Sequence, residues 1–337
     1  MSPPRAVANR WALGILLLVV VAGCFVLGVR FGSVPLSTGD VLGALAGRGD
    51  ETTRDIVVRI RMPRVVLAIL IGGGLSLAGA TFQALLRNPL AEPYILGISG
   101  GASVGAVIVL AFGFVSAGSW ALPLAAFAGA LVAIGLVFRV ATATGHAMDV
   151  RVLLLAGVVV AAFFSACIAF ILSISPARTV QSAVLWIMGS LAAADWTSVV
   201  LTAAYTLPAA LLLVGLARPL NLMAIGEETA HYLGTDVEGV KRLSLAIAAL
   251  ITASGVAVAG VIGFVGLVVP HALRLVIGSD HRTLLPFSFL AGAAFLTIAD
   301  LIARMLLAPT EIPIGVITAF VGVPFFLVLL RRSVVAP

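Results

Sequence analysis

Apolar residues in this chain come in long unbroken runs, not in the alternation of strands or the narrow stripes of surface helices. A helix that crosses a bilayer needs about 20 consecutive apolar residues. Runs of that kind occupy 11–29, 65–86, 94–112, 119–138, 152–174, 196–217, 286–307 and 313–330. A shorter run, 179–192, ends in Gly189-Ser190 and reads as a half-helix instead of a crossing. The first run follows Arg5 and Arg10 and is longer than the core of a signal peptide. With no small-residue cleavage site leading into a polar region, it is expected to be a retained first span, within 1–33.

The stretch 243–269 is too long for one upright helix and contains Gly255, Gly260, Gly263 and Gly266 before Pro270. It fits one tilted span or two short ones. Arg5 and Arg10 at one end of the chain, and Arg331 and Arg332 at the other, both favour the cytoplasm. An even number of crossings is then required, so the stretch is divided and ten spans are expected. On this topology twelve basic residues fall on the cytoplasmic side and eight on the outer side, a weak asymmetry. The outer arginines therefore need a reason of their own.

Composition agrees with the pattern. Hydrophobic residues make up 61% of the 337, charged residues only 10%, and the mean hydropathy is +1.21, which excludes a soluble domain. The net charge of +6 comes from nineteen Arg and the single Lys241, scattered between apolar runs. That distribution suits loops facing anionic lipid and protein partners, not nucleic acid. Cys24 and Cys167 lie inside apolar runs and read as small hydrophobes. His146, His231, His271 and His281 lack metal-ligand spacing, so neither a metal nor an enzyme constellation is expected. The acids Asp195, Asp300 and Glu311 fall at membrane ends, whereas a proton-coupled carrier needs an ionisable relay nearer the midplane. Gly97 to Gly105 lacks the strand and the Gly-Lys-Ser/Thr of a phosphate loop. Any nucleotide chemistry belongs to another subunit.

Two polar segments stand out. Five of the outer arginines lie between Arg48 and Arg64, ending in Arg61-Met62-Pro63-Arg64 at the mouth of the second span. They are either snorkelling contacts with headgroups or a docking patch for carboxylates of an extracytoplasmic partner. Arg304 lies on the same side, four residues after Asp300, which can answer part of its charge. The second segment, 218–242, is either a solvated loop or two short helices on the cytoplasmic face. Pro219 can open the first, Gly226 breaks it, Glu227 and Glu228 suit the first turn of the second, and Gly234 can cap its end. Small-residue rows at Gly97, Gly101, Gly105 and at Gly72, Ser76, Ala80 allow close helix approach in lipid.

Several motifs carry a family resemblance. They are Arg61-Met-Pro-Arg64, Ser76-Leu-Ala-Gly-Ala80, the run from Gln83 to Pro93, and Leu96-Gly-Ile-Ser-Gly-Gly-Ala102. Further along come Gly226-Glu-Glu-Thr-Ala230 with Leu233-Gly234, the run from Gly260 to His271, Asp280-His-Arg282 and Glu311-Ile-Pro-Ile-Gly315. From about residue 55 onward the chain resembles the FecCD permeases of ABC importers for ferric siderophores, heme and cobalamin.

The resemblance implies a homodimer of ten-span subunits, two ATP-binding subunits below it with their ATP and magnesium, and one substrate-binding protein above. It implies that Arg61, Arg64 and Arg304 face acidic residues of the binding protein. It places the coupling contacts with the ATPases on Leu220, Gly226, Glu227, Glu228, Thr229, Ala230, His231, Leu233 and Gly234, and an inner gate at Met148, Asp149 and Val150. It also relates spans two to five (55–174) to spans seven to ten (243–332) by an inverted repeat, consistent with an offset of five crossings. The pathway wall is expected from the third, fifth and tenth spans with the 179–192 segment. The expected cargo is heme or a ferric siderophore ahead of cobalamin, entering across the bacterial inner membrane. A secondary transporter driven by an ion gradient, or a purely structural scaffold, are the rival readings.

Overall fold

The computed structural model describes residues 5–114, 120–142 and 149–335, and among them every regular element is helical. Helix α1 (Arg5–Arg30) leads to two short surface helices, α2 (Thr38–Leu45) and α3 (Glu51–Asp55). Each is opened by a side-chain cap. The Ser37 hydroxyl accepts from Asp40 N while the Asp40 carboxylate accepts from Ser37 N, and Asp50 accepts from Thr53 N. A π-helical stretch, Ile56–Arg61, runs without interruption into α4 (Met62–Leu85). Then follow α5 (Ile98–Ala111), α6 (Ala121–Thr142), α7 (Val150–Ser173), α8 (Ala177–Ile187) and α9 (Trp196–Gly215). Helices α10 (Ala217–Ile225) and α11 (Glu227–Tyr232) are short. The chain closes with α12 (Val237–Ala259), α13 (Val265–Ile277), α14 (His281–Met305) and α15 (Ile314–Val335).

Among the described residues, seven helical segments are long and apolar enough to cross a membrane, namely α1, the continuous Glu51–Leu85, α6, α7, α9, α12 and α14. The shorter apolar helices α5 and α13, together with α15, are three further apolar helices, so the apolar segments match in number the ten expected spans. The 179–192 run is α8, a half-helix of 11 residues.

The stretch 243–269 does divide, but not into two short helices. Helix α12 has 23 residues because it begins inside the polar segment, where Asp236 caps it by accepting from Gly239 N. Its first turns carry Lys241, buried against Glu227, so polar residues extend the helix beyond its apolar run. The division falls at 260–264, where Phe264 takes a left-handed backbone with φ 68°, and α13 continues through Pro270.

The sequence order recurs. In both α4–α7 and α12–α15 a long helix is followed by a break, a short helix entered from a left-handed residue (Gly97, φ 75°, or Phe264), and two further helices. Helix α4 is apolar on every side and almost wholly buried, which makes it the central post. It packs on α14 and α13 with no side chains between the backbones: a Cβ at Gly72 would collide with the Gly292 carbonyl, and one at Gly79 with the Gly266 carbonyl. At 1.5 Å per residue α4 spans roughly 36 Å, so Arg64 and Arg87 lie near opposite faces of the bundle.

Candidate functional site

At the end of the bundle where α4 begins, the loop after α1, the π-helical stretch and the facing ends of α4 and α14 converge on one charge cluster. The Asp300 carboxylate, 1% exposed, is shared by two guanidinium groups. Arg64 Nε lies 3.0 Å and Nη2 2.9 Å from it, and Arg304 Nε 3.0 Å. Arg64 Nη1 reaches Glu311 at 2.9 Å. Arg304 also donates to the carbonyls of Gly28 and Phe31. Arg61 donates to the carbonyls of Val29 at 3.1 Å and Arg30 at 2.8 Å, and to that of Val34. The structure thus brings Arg61, Arg64 and Arg304 together, with all three side chains buried and engaged by the chain's own acceptors. Three guanidinium groups face two carboxylates, which leaves one positive charge in excess beside a cavity of about 110 Å³ lined by Val34, Ile60, Arg61, Arg64, Arg304 and Glu311. Arg54 and Arg59 are exposed nearby, Arg59 paired with Asp55 at 3.2 Å.

At the opposite end, α10 and α11 are the two short helices that the glycine and proline positions forecast. Gly226 separates them at φ 155° and Gly234 ends α11 at φ 83°. The residues divide into two sets. Leu220 and Ala230 are buried anchors, and Glu227 turns inward to Lys241 and to Arg87, 3.4 Å away. Glu228, Thr229, His231, Leu233 and Gly234 face outward. Two residues of the same helices with no charge or motif to mark them, Ile225 (72% exposed) and Tyr232 (79%), are exposed like Leu233.

A second tie fixes α10 to α14. Asn221 donates to Asp280 at 2.8 Å and accepts from His281 N at 2.9 Å, and Arg10 pairs with Asp280 at 3.3 Å. Sequence reasoning missed this network because no local pattern links Asn221 to residues 59 and 60 positions later. Asp149 caps α7 by accepting from Arg151 N at 2.7 Å. With Val150 it lines a polar cleft of about 780 Å³ that also takes in Arg87, Asn88, Glu227 and Lys241. Met148 lies outside the described residues.

Between the two ends lies the break at 260–264. Backbone polar groups at membrane depth must be satisfied within the protein, and the other repeat supplies the partners. The Tyr94 hydroxyl donates to Ile262 O at 3.1 Å and accepts from Ile262 N at 3.2 Å, while Glu92 accepts from Phe264 N at 2.6 Å. Gln83 donates to the carbonyls of Gly266 and Leu267. The turn after α8 docks on the same place, with Ser190 N donating to Ala259 O, and Ile314 N and Gly315 N donating to Gly189 O and Met188 O. Beside it runs an apolar groove of about 580 Å³, lined by the end of α8, the 260–264 break and α15. Residues of the tenth span and of the end of the 179–192 segment line this groove.

Two charged faces at opposite ends of a bundle of ten apolar segments, joined by a discontinuous core, describe a multi-pass membrane protein. The FecCD transport family matches residues 16–332, and the chain belongs to that family. It is 46% identical over 281 residues to a cobalamin import system permease from Halobacterium salinarum, covering 83% of this chain and 74% of that one. It is 42% identical over 281 residues to a hemin transport system permease from Yersinia pestis, covering 82% and 84%. A solved inward-facing metal-chelate type ABC transporter superposes with a TM-score of 0.83 at 30% identity, covering 96% of this chain and 99% of that one.

Proposed function

We propose that this chain is the permease subunit of a binding-protein-dependent ABC importer that carries a bulky metal chelate into the cytoplasm, heme or a ferric siderophore ahead of cobalamin. The observation that carries this is the exposed coupling patch of α10 and α11, with Glu228, His231, Tyr232 and Leu233 outward, on a chain with no nucleotide motif of its own. Such a patch suits a groove on ATP-binding subunits. Names of relatives that carry cobalamin or hemin support the substrate class.

In this scheme a second copy of the chain completes the pathway in the bacterial cytoplasmic membrane, with both termini inside. Two ATP-binding subunits drive alternating access and supply ATP and magnesium chemistry. A substrate-binding protein docks outside. Because Arg61, Arg64 and Arg304 are buried, docking there means that a partner carboxylate enters the small cavity and takes up the one excess positive charge, while Arg54 and Arg59 form the rim. A ligand shifts such an equilibrium only by its differential affinity for the two states.

The test is uptake into proteoliposomes containing this chain, its ATP-binding subunit and its binding protein, offered heme, a ferric siderophore and cobalamin in parallel. Uptake of one cargo that requires all three proteins and ATP is expected. Uptake without the ATPase, driven by an ion gradient, overturns the proposal.

A further inference from the structure

We propose that Arg87 is a positioning residue for transport: it ties the coupling helices α10 and α11 to the discontinuous segment 260–264 through the loop 86–97. The proposal rests on the permease reading above and adds a route through named residues.

Arg87 follows α4 in a left-handed backbone, φ 47°, which only it and Phe264 adopt among the described non-glycine residues. Glycine takes that conformation without strain and Arg does not, so an Arg held there points to its side chain as the reason. Its Nη2 donates to Met223 O in α10 at 3.0 Å and lies 3.4 Å from Glu227 in the first turn of α11. Glu227 is in turn paired with Lys241 on α12.

The loop that starts at Arg87 is short and internally braced. Asn88 accepts from Leu90 N through its side chain and from Ala91 N through its carbonyl, and Pro89 and Pro93 restrict the backbone. It ends at Glu92 and Tyr94, the two residues that hold Phe264 and Ile262. Phe264 lines the groove beside α15, and Ile262 packs against Gly189 in the turn after α8. A displacement of α10 and α11 therefore reaches the discontinuous core through a braced loop pinned at both ends. The plainer alternative is a surface arginine whose half-exposed ion pair adds little. It leaves the left-handed backbone without a reason.

The experiment compares wild type, Arg87→Gly and Arg87→Lys in the reconstituted importer, reading the unfolding midpoint, ATP hydrolysis and cargo moved per ATP. Arg87→Gly relieves the backbone and removes the tie, so its midpoint should equal or exceed wild type while cargo per ATP falls at least about fivefold, the lower range of coupling between linked sites. Arg87→Lys, which keeps a cation near Glu227, should recover part of the ratio. An unchanged ratio in Arg87→Gly overturns the proposal, and so does a midpoint that falls in step with transport. If wild type shows no ATP-dependent uptake, the permease reading fails and this proposal with it.

Discussion

Asp300→Asn is the sharpest perturbation of the cluster of Arg64, Asp300 and Arg304. The carboxylate is 1% exposed and lies within 3.0 Å of both Arg64 and Arg304, whose side chains are 7% and 4% exposed. The amide is nearly isosteric and still accepts one hydrogen bond, so the change removes charge and not volume. Two guanidinium groups are then left facing each other, with Glu311 answering only Arg64. Breaking a buried pair by removing one partner costs about 3–5 kcal/mol, because the remaining charge is uncompensated. At roughly 2 °C per kcal/mol for a large chain, the midpoint should fall by about 6–10 °C. The assay is thermal unfolding in lipid nanodiscs followed by tryptophan fluorescence. Replacing Arg304 by Met in the same chain removes the second charge and should restore about half of the loss. A loss below about 1 kcal/mol for Asp300→Asn, the range of solvated pairs, would show that water reaches the cluster and refute the reasoning.

Gly79→Ala places a Cβ against the Gly266 carbonyl and should cost about 1–3 kcal/mol. Gly135→Ala, where a Cβ meets nothing within 4 Å, should be neutral or stabilise by about 0.5–1 kcal/mol; paired thermal melts check both. Tyr94→Phe leaves Ile262 N and O without partners and should cost about 1–3 kcal/mol, with faster amide exchange confined to 260–264. Asp280→Ala removes the cap of α14 and should cost about 1–2 kcal/mol at neutral pH. Burial alone would push the Asp280 carboxyl up, but Asn221, the Arg282 N–H and Arg10 together hold it below its ordinary 3.8. Its stabilisation is complete above that value and fades as the pH falls through the lower folded one, so the two chains should converge only in stronger acid.

The ten apolar segments, the half-helix α8 and the paired helices α10 and α11 were all legible, because each is written in local composition or in a glycine at the required place. The start of α12 was not. Lys241 and Glu238 look like loop residues until Glu227, distant in the chain, pairs with the lysine and allows its burial. The outer arginines were legible as a group but not in their state, since the acceptors of Arg61 are backbone carbonyls that no pattern announces. Glu92 sits in a motif that the family resemblance singled out, and Tyr94 falls in the gap between that motif and the next. Their partners in the break, 168 and 172 positions away, come only from the fold.

The distribution of burial constrains where motion can occur. Of the hydrophobic window in Glu51–Leu85, 89% is buried, against 28% in α6 and in α7. Helix α4 meets α14 and α13 across glycines, where sliding brings a carbonyl against a backbone atom and not against a side chain able to change rotamer. The α4–α14 pair carries Arg64 and Asp300 at one end, and Arg87 and Asp280 follow or open the same helices at the other. It therefore behaves as a fixed strut joining the two charged faces. On the access mechanism proposed above, movement falls to elements that do not pack on that strut, such as α6 and α7. Among the described residues, the loop 86–97 joins that strut to α10 and α11 through Arg87 and to the break through Glu92 and Tyr94.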